Sequence, residues 1–458
     1  MESIASINDL KVKVNNRQIL SIALPITLAI LIPQLNMLIN SIFLGRLSGE
    51  ALGNAGVTGV FYLIFAVAGN GLNNAMQTVF SKYAGAGNHG SFKTILVQGI
   101  RIGFQFSLVC ILFVWFIAPY IMEKVADPVA YPQEMSFLKI RILGLPFLYM
   151  FQMGNAFLVA SLNSRYLMIG FICEALINIL FDWLLIFGHW GFPQLGFNGA
   201  AVASIIAEVM GVIVVFSVLA ITGLKRKYEL LRHFKFDSIV SKEIFRVSVP
   251  LVLQYLISVT TWLVFFILIE SRGTTAKAIS NTMRNVFGLV GVFVWAFAST
   301  SNVMVSNLMG QKREDKVIEV IMKITYLSFG FCFIMVSLLN LFPESFFRLF
   351  GQSESFVTEG IPVIRIVSLG LLFMSIANIW LNGVTGTGKT KVNLVIEIVA
   401  ITLYLIYTWY FMKLNYVSLA VAWSNEFIYW TSIFLIAAFY LKSGKWKTKL
   451  ISPEKITS

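Results

Sequence analysis

The residues best suited to chemistry in this sequence are Asn178 and Asp182, at the ends of Asn178-Ile179-Leu180-Phe181-Asp182 within an apolar run from about 166 to 188. A spacing of four puts both side chains on one helix face, one turn apart. A carboxylate in the middle of a bilayer-spanning helix costs roughly 2.5–3.5 kcal/mol on insertion scales, so it needs a function to justify it. With an amide beside it and away from lipid, such a group can take up and release a cation or a proton. At about 1.5 Å per residue, Asp182 falls past the bilayer midplane, in the outer half.

Other intramembrane polar residues are candidates for the same site or for a substrate cavity. Asn36 and Asn40 share a face of the first span, with Gln34 nearby, and Pro25 and Pro33 make that span bendable. In the sixth span Ser204 and Glu208 are again four apart. Ser204 can also bond its own helix backbone. Arg284 and Gln254 are candidates for the cavity wall, and Glu426 for the counter-ion of Arg284 or a substrate contact. Glu174 and Glu397 occupy equivalent places in two spans, as do Arg141 and Arg365, and that duplication points to scaffold roles. Plentiful Met and Phe can supply the adaptable surface of a promiscuous binder.

The elements that must position these residues are membrane helices. Of 458 residues 57% are hydrophobic and only 12% charged, against about a quarter charged in soluble proteins. About twelve apolar runs reach the length needed to cross a bilayer, at roughly 18–44, 55–80, 92–118, 136–160, 166–188, 196–221, 244–270, 276–308, 317–342, 356–383, 390–412 and 416–441. Some 18 mostly polar residues before the first run argue against a cleavable signal. The connections alternate in charge, with roughly 22 Lys and Arg on one side and about 8 on the other; the positive-inside rule then places both termini in the cytoplasm. That bias accounts for the net charge of +13 without nucleic acid.

The second half repeats the first. "ILSIALPITL" around Pro25 matches "IFRVSVPLVL" around Pro250, and "VFSKYAGAG" at Gly85 falls on "MVSNLMGQK" at Gly310. "IRILGL" at Arg141 matches "IRIVSLGL" at Arg365, and "NGAAVAS" resembles "VSLAVAW". An even number of spans per copy gives both copies one orientation, with a cavity between them. The organisation expected is an N-terminal six-helix lobe (1–221), a cytoplasmic linker (222–243), a C-terminal six-helix lobe (244–441) and a basic tail (442–458).

The chain resembles prokaryotic members of the MATE (multidrug and toxic compound extrusion) family over essentially its full length. The matching text is "FLGRLSGEALGNAG" after span 1, "SKYAGAGN" after span 2, "NILFDWLLIFGHWGFPQLGFNGAAVAS" through spans 5 and 6, and "NLMGQKRED" after span 8. The resemblance implies an all-α, V-shaped fold and antiport of drugs against H⁺ or Na⁺. It places Asn178 and Asp182 on an Asn-x-x-x-Asp cation site, Ser204 where a ligating Thr is expected, and Pro25 at a bend. Two departures stand out. Asn40, in "INSIFLG", replaces the usual span-1 aspartate, and span 7 has no deep acid, with Ser258 at the candidate position and Gln254 a turn earlier. One carboxylate in place of two disfavours tight Na⁺ binding, which wants several anionic oxygens, and suits a single proton.

Gly383-Val-Thr-Gly-Thr-Gly388-Lys389-Thr390 matches the phosphate-loop pattern G-x-x-x-x-G-K-[ST] letter for letter. That loop needs a buried strand before it and a βαβ setting. Here apolar spans lie on both sides, so the stretch reads as an ordinary cytoplasmic turn and no nucleotide partner is expected. His89, His189 and His233 lie in or beside loops without metal-ligand spacing, and Cys110, Cys173 and Cys332 lie singly in apolar runs as packing residues. No nucleophile–base pair or metal motif suggests an enzyme. The expectation is a monomeric, cofactor-free antiporter of the inner (plasma) membrane. It would work by alternating access on small organic, cationic or amphipathic compounds, contacting lipid but no nucleic acid. A lipid-linked oligosaccharide flippase of the same superfamily is the alternative; it would want a cavity ringed with Arg and Lys, where the sequence offers mainly Arg284.

Overall fold

A computed structural model describes residues 10–125, 127–232, 234–270, 272–348, 354–414 and 417–447. His233 and the tail beyond 447 lie outside the described residues. Among the described residues, twelve helices are long and apolar enough to span a membrane: α1 Asn16–Leu47, α2 Gly49–Gly85, α3 His89–Lys124, α4 Tyr131–Ala160, α5 Ser164–Phe187, α6 Phe197–Ile221, α7 Ser238–Ile269, α8 Thr274–Gly310, α9 Glu314–Leu341, α10 Glu354–Gly386, α11 Thr390–Phe411 and α12 Leu419–Lys442.

Each expected span is present, and several helices outrun the apolar text that announced them. The reason is capping. The Asn15 side chain accepts from Gln18 N at 2.8 Å and so starts α1 ahead of its apolar run. Ser48 accepts from Ala51 N at 2.9 Å and starts α2 at Gly49, through residues too polar to read as membrane. Pro25 and Pro33 lie inside α1 and Pro250 inside α7, each removing one backbone hydrogen bond. Large apolar side chains such as Val109, Phe116, Tyr326 and Ile334 are exposed on the outer surface; in a lipid solvent that is where they belong.

The helices form two six-helix lobes, α1–α6 and α7–α12, meeting chiefly where α2 packs on α7 and α8. Gly85 and Gly310 set how closely. A Cβ on Gly85 would lie 1.9 Å from the Asn307 carbonyl oxygen, and one on Gly310 2.0 Å from that of Lys82. These are the two glycines that the repeat aligned, so α2 and α8 cross backbone to backbone at a pseudo-symmetric point. Around the crossing the lobes are laced by hydrogen bonds. Thr78 donates to Asn302 Oδ1 (2.8 Å), Asn302 Nδ2 to the Asn74 carbonyl (3.0 Å), Ser299 to Gln77 (2.8 Å) and Asn74 to the Tyr255 hydroxyl (2.5 Å). Lys82 and Tyr83 both reach Glu243 at 2.9 Å. Leu10 and Val12 are buried and pinned across the lobes, with Asn307 bonding Leu10 O and Val12 N.

The phosphate-loop lookalike is a helix end. Gly383 to Gly386 form the last turn of α10, and α11 begins at Thr390. Gly386 packs where a Cβ would meet the Asn302 carbonyl at 2.8 Å, and Gly388 turns the chain at φ +77°.

Candidate functional site

Helix α5 carries Asn178 and Asp182, both buried against α1, with Asp182 fully shielded. Asn36 Nδ2 donates to Asn178 Oδ1 at 2.7 Å, and Asn178 Nδ2 donates to Asp182 Oδ2 at 3.2 Å. The Asn40 amide spans both residues, one end 3.2 Å from Asn178 Oδ1 and the other 2.6 Å from Asp182 Oδ2. Turned one way, that amide donates an N–H to a carboxylate; turned the other way, its carbonyl accepts from a protonated acid. Asp182 Oδ1 and Asn36 Oδ1 are buried without a hydrogen-bond partner among the described residues, and such acceptors leave room for something to be bound.

Three of the four residues expected at the cation site, Asn40, Asn178 and Asp182, are therefore together, joined by Asn36, a candidate for the substrate cavity; the two from α1 are more than a hundred positions from the two of α5. Among the described residues no Lys or Arg forms an ion pair with Asp182. It is neither aimed at lipid nor clamped by a fixed positive charge. Gln34 points elsewhere. Two positions before Asn36, it comes within 3.6 Å of where a Cβ of Gly288 would sit, so α1 turns its amide pair inward and Gln34 toward α8.

The same family profile matches this chain twice, over residues 25–184 and again over 250–410, each match beginning on one of the aligned prolines. That is the MatE family profile. The chain belongs to the MatE family. Among relatives, the "Probable multidrug resistance protein NorM" of Thermotoga maritima is 23% identical over 449 residues, covering 95% of this chain and 94% of that protein. Among solved structures, an outward-facing multidrug resistance MATE family transporter of the MOP superfamily superposes with TM-score 0.86 at 16% identity, covering 97% of this chain and all of the other. A MOP superfamily transporter from Pyrococcus furiosus, described as having a binding pocket of reversed polarity, superposes with TM-score 0.84 at 16% identity over 97% and 98% of the two chains. This MatE chain thus has the two-lobed transporter fold.

Other expected site residues are placed differently. Glu208 does not line a cavity. Arg141 of α4 grips it through two bonds of 2.6 and 3.0 Å, with the guanidinium 4.0 Å over the Tyr62 ring. The carboxylate fits because Gly144 has no side chain; a Cβ there would stand 2.0 Å from Glu208 Oε2. Ser204 is half-buried one turn away and, among the described residues, makes no hydrogen bond to Asp182. Arg284 and Glu426 are not counter-ions: Arg284 is exposed over the Phe266 ring, and Glu426 is buried and accepts from Trp430 Nε1 at 2.9 Å.

Gln254 is buried in the C-terminal lobe, where it donates to Glu397 Oε2 at 3.2 Å. The sequence showed no acid deep in α7. The structure brings a carboxylate to that place from α11, beside both Gln254 and Ser258. Nothing in the text of α7 signals this.

Proposed function

We propose that this protein is a proton-coupled antiporter that exports small organic, chiefly cationic or amphipathic, compounds across the plasma membrane with both termini in the cytoplasm. The supporting observation is the site at Asp182: a buried carboxylate bonded by neutral amides, with an oxygen left over and, among the described residues, no ion pair. A hard metal cation gathers several oxygens, anionic ones preferred, whereas a proton needs one carboxylate and a neighbour that can donate or accept. Asn40 is that neighbour.

In the cycle we infer, Asp182 takes up a proton from outside, the Asn40 amide turns to accept it, and α1 adjusts its bend at Pro25. The N-terminal lobe then favours release of substrate. Substrate binding from the cytoplasm accompanies proton release inward, as linkage between two states requires. The lacing of α2, α7 and α8 toward the end that carries Gly85 and Gly310 fits the outward-facing half of the cycle.

The test is efflux from proteoliposomes under an imposed pH gradient in Na⁺-free buffer. Efflux that follows the gradient is expected; efflux that runs only with Na⁺ overturns proton coupling. A lipid-linked oligosaccharide flippase is the second reading, favoured by Arg284 standing exposed within α8 without an ion pair among the described residues. Accumulation of a fluorescent organic cation separates the two.

A further inference from the structure

Glu397 is 1% exposed, and among the described residues no Lys or Arg forms an ion pair with it. Its surroundings are neutral and come from three helices. Gln254 of α7 donates to one oxygen and the Tyr429 hydroxyl of α12 donates to the other. Tyr429 in turn lies 3.1 Å from Ser258 Oγ of α7, where either hydroxyl can donate. One turn before Glu397, Asn393 donates to Gln254 Oε1 (3.3 Å) and to Thr385 of α10 (2.7 Å), while its own Oδ1 is buried with no partner among the described residues. The titratable groups that face the pocket are Tyr429 and Glu426 from α12, Tyr255 from α7 and Tyr404 from α11. None is a cation. A full negative charge fixed in such surroundings costs too much to be a resting scaffold.

The hydrogen-bond chain shows how the charge is removed. A hydroxyl both donates and accepts, so a row of hydroxyls can reverse its donors without stranding a polar atom. With Glu397 ionised, Ser258 donates to Tyr429 and Tyr429 donates to the carboxylate. With Glu397 protonated, the acid donates to Tyr429 and Tyr429 to Ser258. Ser258 and Tyr429 are only half-buried. Three residues before Ser258, the Tyr255 hydroxyl bonds Asn74 of α2, which places Ser258 beside the seam between the lobes. A metal ion at the same spot would meet the Gln254 amide N–H groups, which point at the carboxylate.

We propose that Glu397 is a second proton-binding site, in the C-terminal lobe, reached from the seam between the lobes through the hydroxyls of Ser258 and Tyr429. A proton arriving at Ser258 Oγ displaces that group's own proton to Tyr429, and Tyr429 passes its proton to a Glu397 oxygen. One proton leaves solution, one O–H bond forms on the carboxylate, and both hydroxyls end with one hydrogen each. The site stands independently of any role for Asp182.

The test is infrared difference spectroscopy of the full chain in lipid, between acidic and alkaline buffer, with ¹³C-labelled glutamate. Labelling shifts the carbonyl band of a protonated glutamic acid and leaves that of Asp182 in place, so the two sites are read apart. Glu397→Gln should lose one label-sensitive band, and Tyr429→Phe should move that band and slow its appearance after a pH jump at least tenfold. If Glu397→Gln fails to insert, the Tyr429→Phe band decides. Spectra and rates like those of the unsubstituted protein in the variants that insert would overturn the proposal.

Discussion

Asp182→Asn tests the proposed coupling most directly. The substitution keeps shape, and one oxygen remains to accept from Asn178 across 3.2 Å. What it removes is the ability to carry a proton. If one proton exchanges for one monovalent organic cation, each unit of pH difference supplies about 1.36 kcal/mol. That sustains roughly a tenfold substrate gradient per unit, because about 1.4 kcal/mol is a factor of ten. In proteoliposomes the unsubstituted protein should therefore build a gradient of about tenfold per pH unit, and Asp182→Asn should build none at any pH difference. The fold should survive. A neutral amide escapes the roughly 2.5–3.5 kcal/mol cost of a carboxylate at the centre of a helix in the bilayer, so thermal unfolding in detergent should occur at the same temperature or higher. Asp182→Asn protein that still accumulates substrate in proportion to the pH gradient would remove Asp182 from the mechanism. A variant that loses both transport and thermal stability would show Asp182 to be structural.

Two further outcomes follow from geometry alone. Glu208→Gln strands the Arg141 guanidinium in a site where the two side chains are only 14% and 4% exposed; such a break costs about 3–5 kcal/mol, and replacing both residues with leucine should restore most of it in thermal unfolding. A cost under about 1 kcal/mol would mean the pair is solvated, as surface pairs are. Gly85→Leu drives a side chain into the Asn307 carbonyl and should force α2 and α8 apart. A cysteine in place of buried Ser306 should then react with a water-soluble thiol reagent, and without Gly85→Leu it should not; equal labelling in both would show that the crossing does not depend on glycine.

How much of this was legible before the structure depended on whether the signal was local. The spans were, because lipid demands about 20 apolar residues in a row and the demand is written in consecutive letters. The repeat was also legible, and with it the Gly85–Gly310 correspondence, although only the coordinates show the two glycines as one crossing. Asn178 and Asp182 announced themselves by cost and spacing. Asn40 was a candidate from its shared face with Asn36 and again from the resemblance, and it does stand against both. Glu208 was misjudged because the sequence shows a charge without its partner; Arg141 lies 67 positions away and reaches it only through the packing of α4 on α6. The same limit hid the Glu397 pocket. A search along α7 for an acid finds Gln254 and Ser258, and nothing in those letters reveals that α11 delivers one there.

The two lobes descend from one repeat yet place their equivalent arginines in opposite ways. In the N-terminal lobe Arg141 turns inward and pairs with Glu208, while Asp182 sits among amides. In the C-terminal lobe the equivalent arginine, Arg365, is exposed and lines an outer groove with Asn340 and Ser368. Inside that lobe Glu397 and Glu426 are buried, and neither has an ion pair among the described residues. In a low-dielectric interior such a lobe gains from any positive charge that enters, whether a proton or the cationic end of a substrate. Protonating Glu397 removes part of that attraction, so protons arriving through the seam work against retention of a cation in the C-terminal lobe. A cation released from one lobe as protons occupy acids in both needs no direct contact between substrate and Asp182, only a seam of α2, α7 and α8 through which the two lobes share their state.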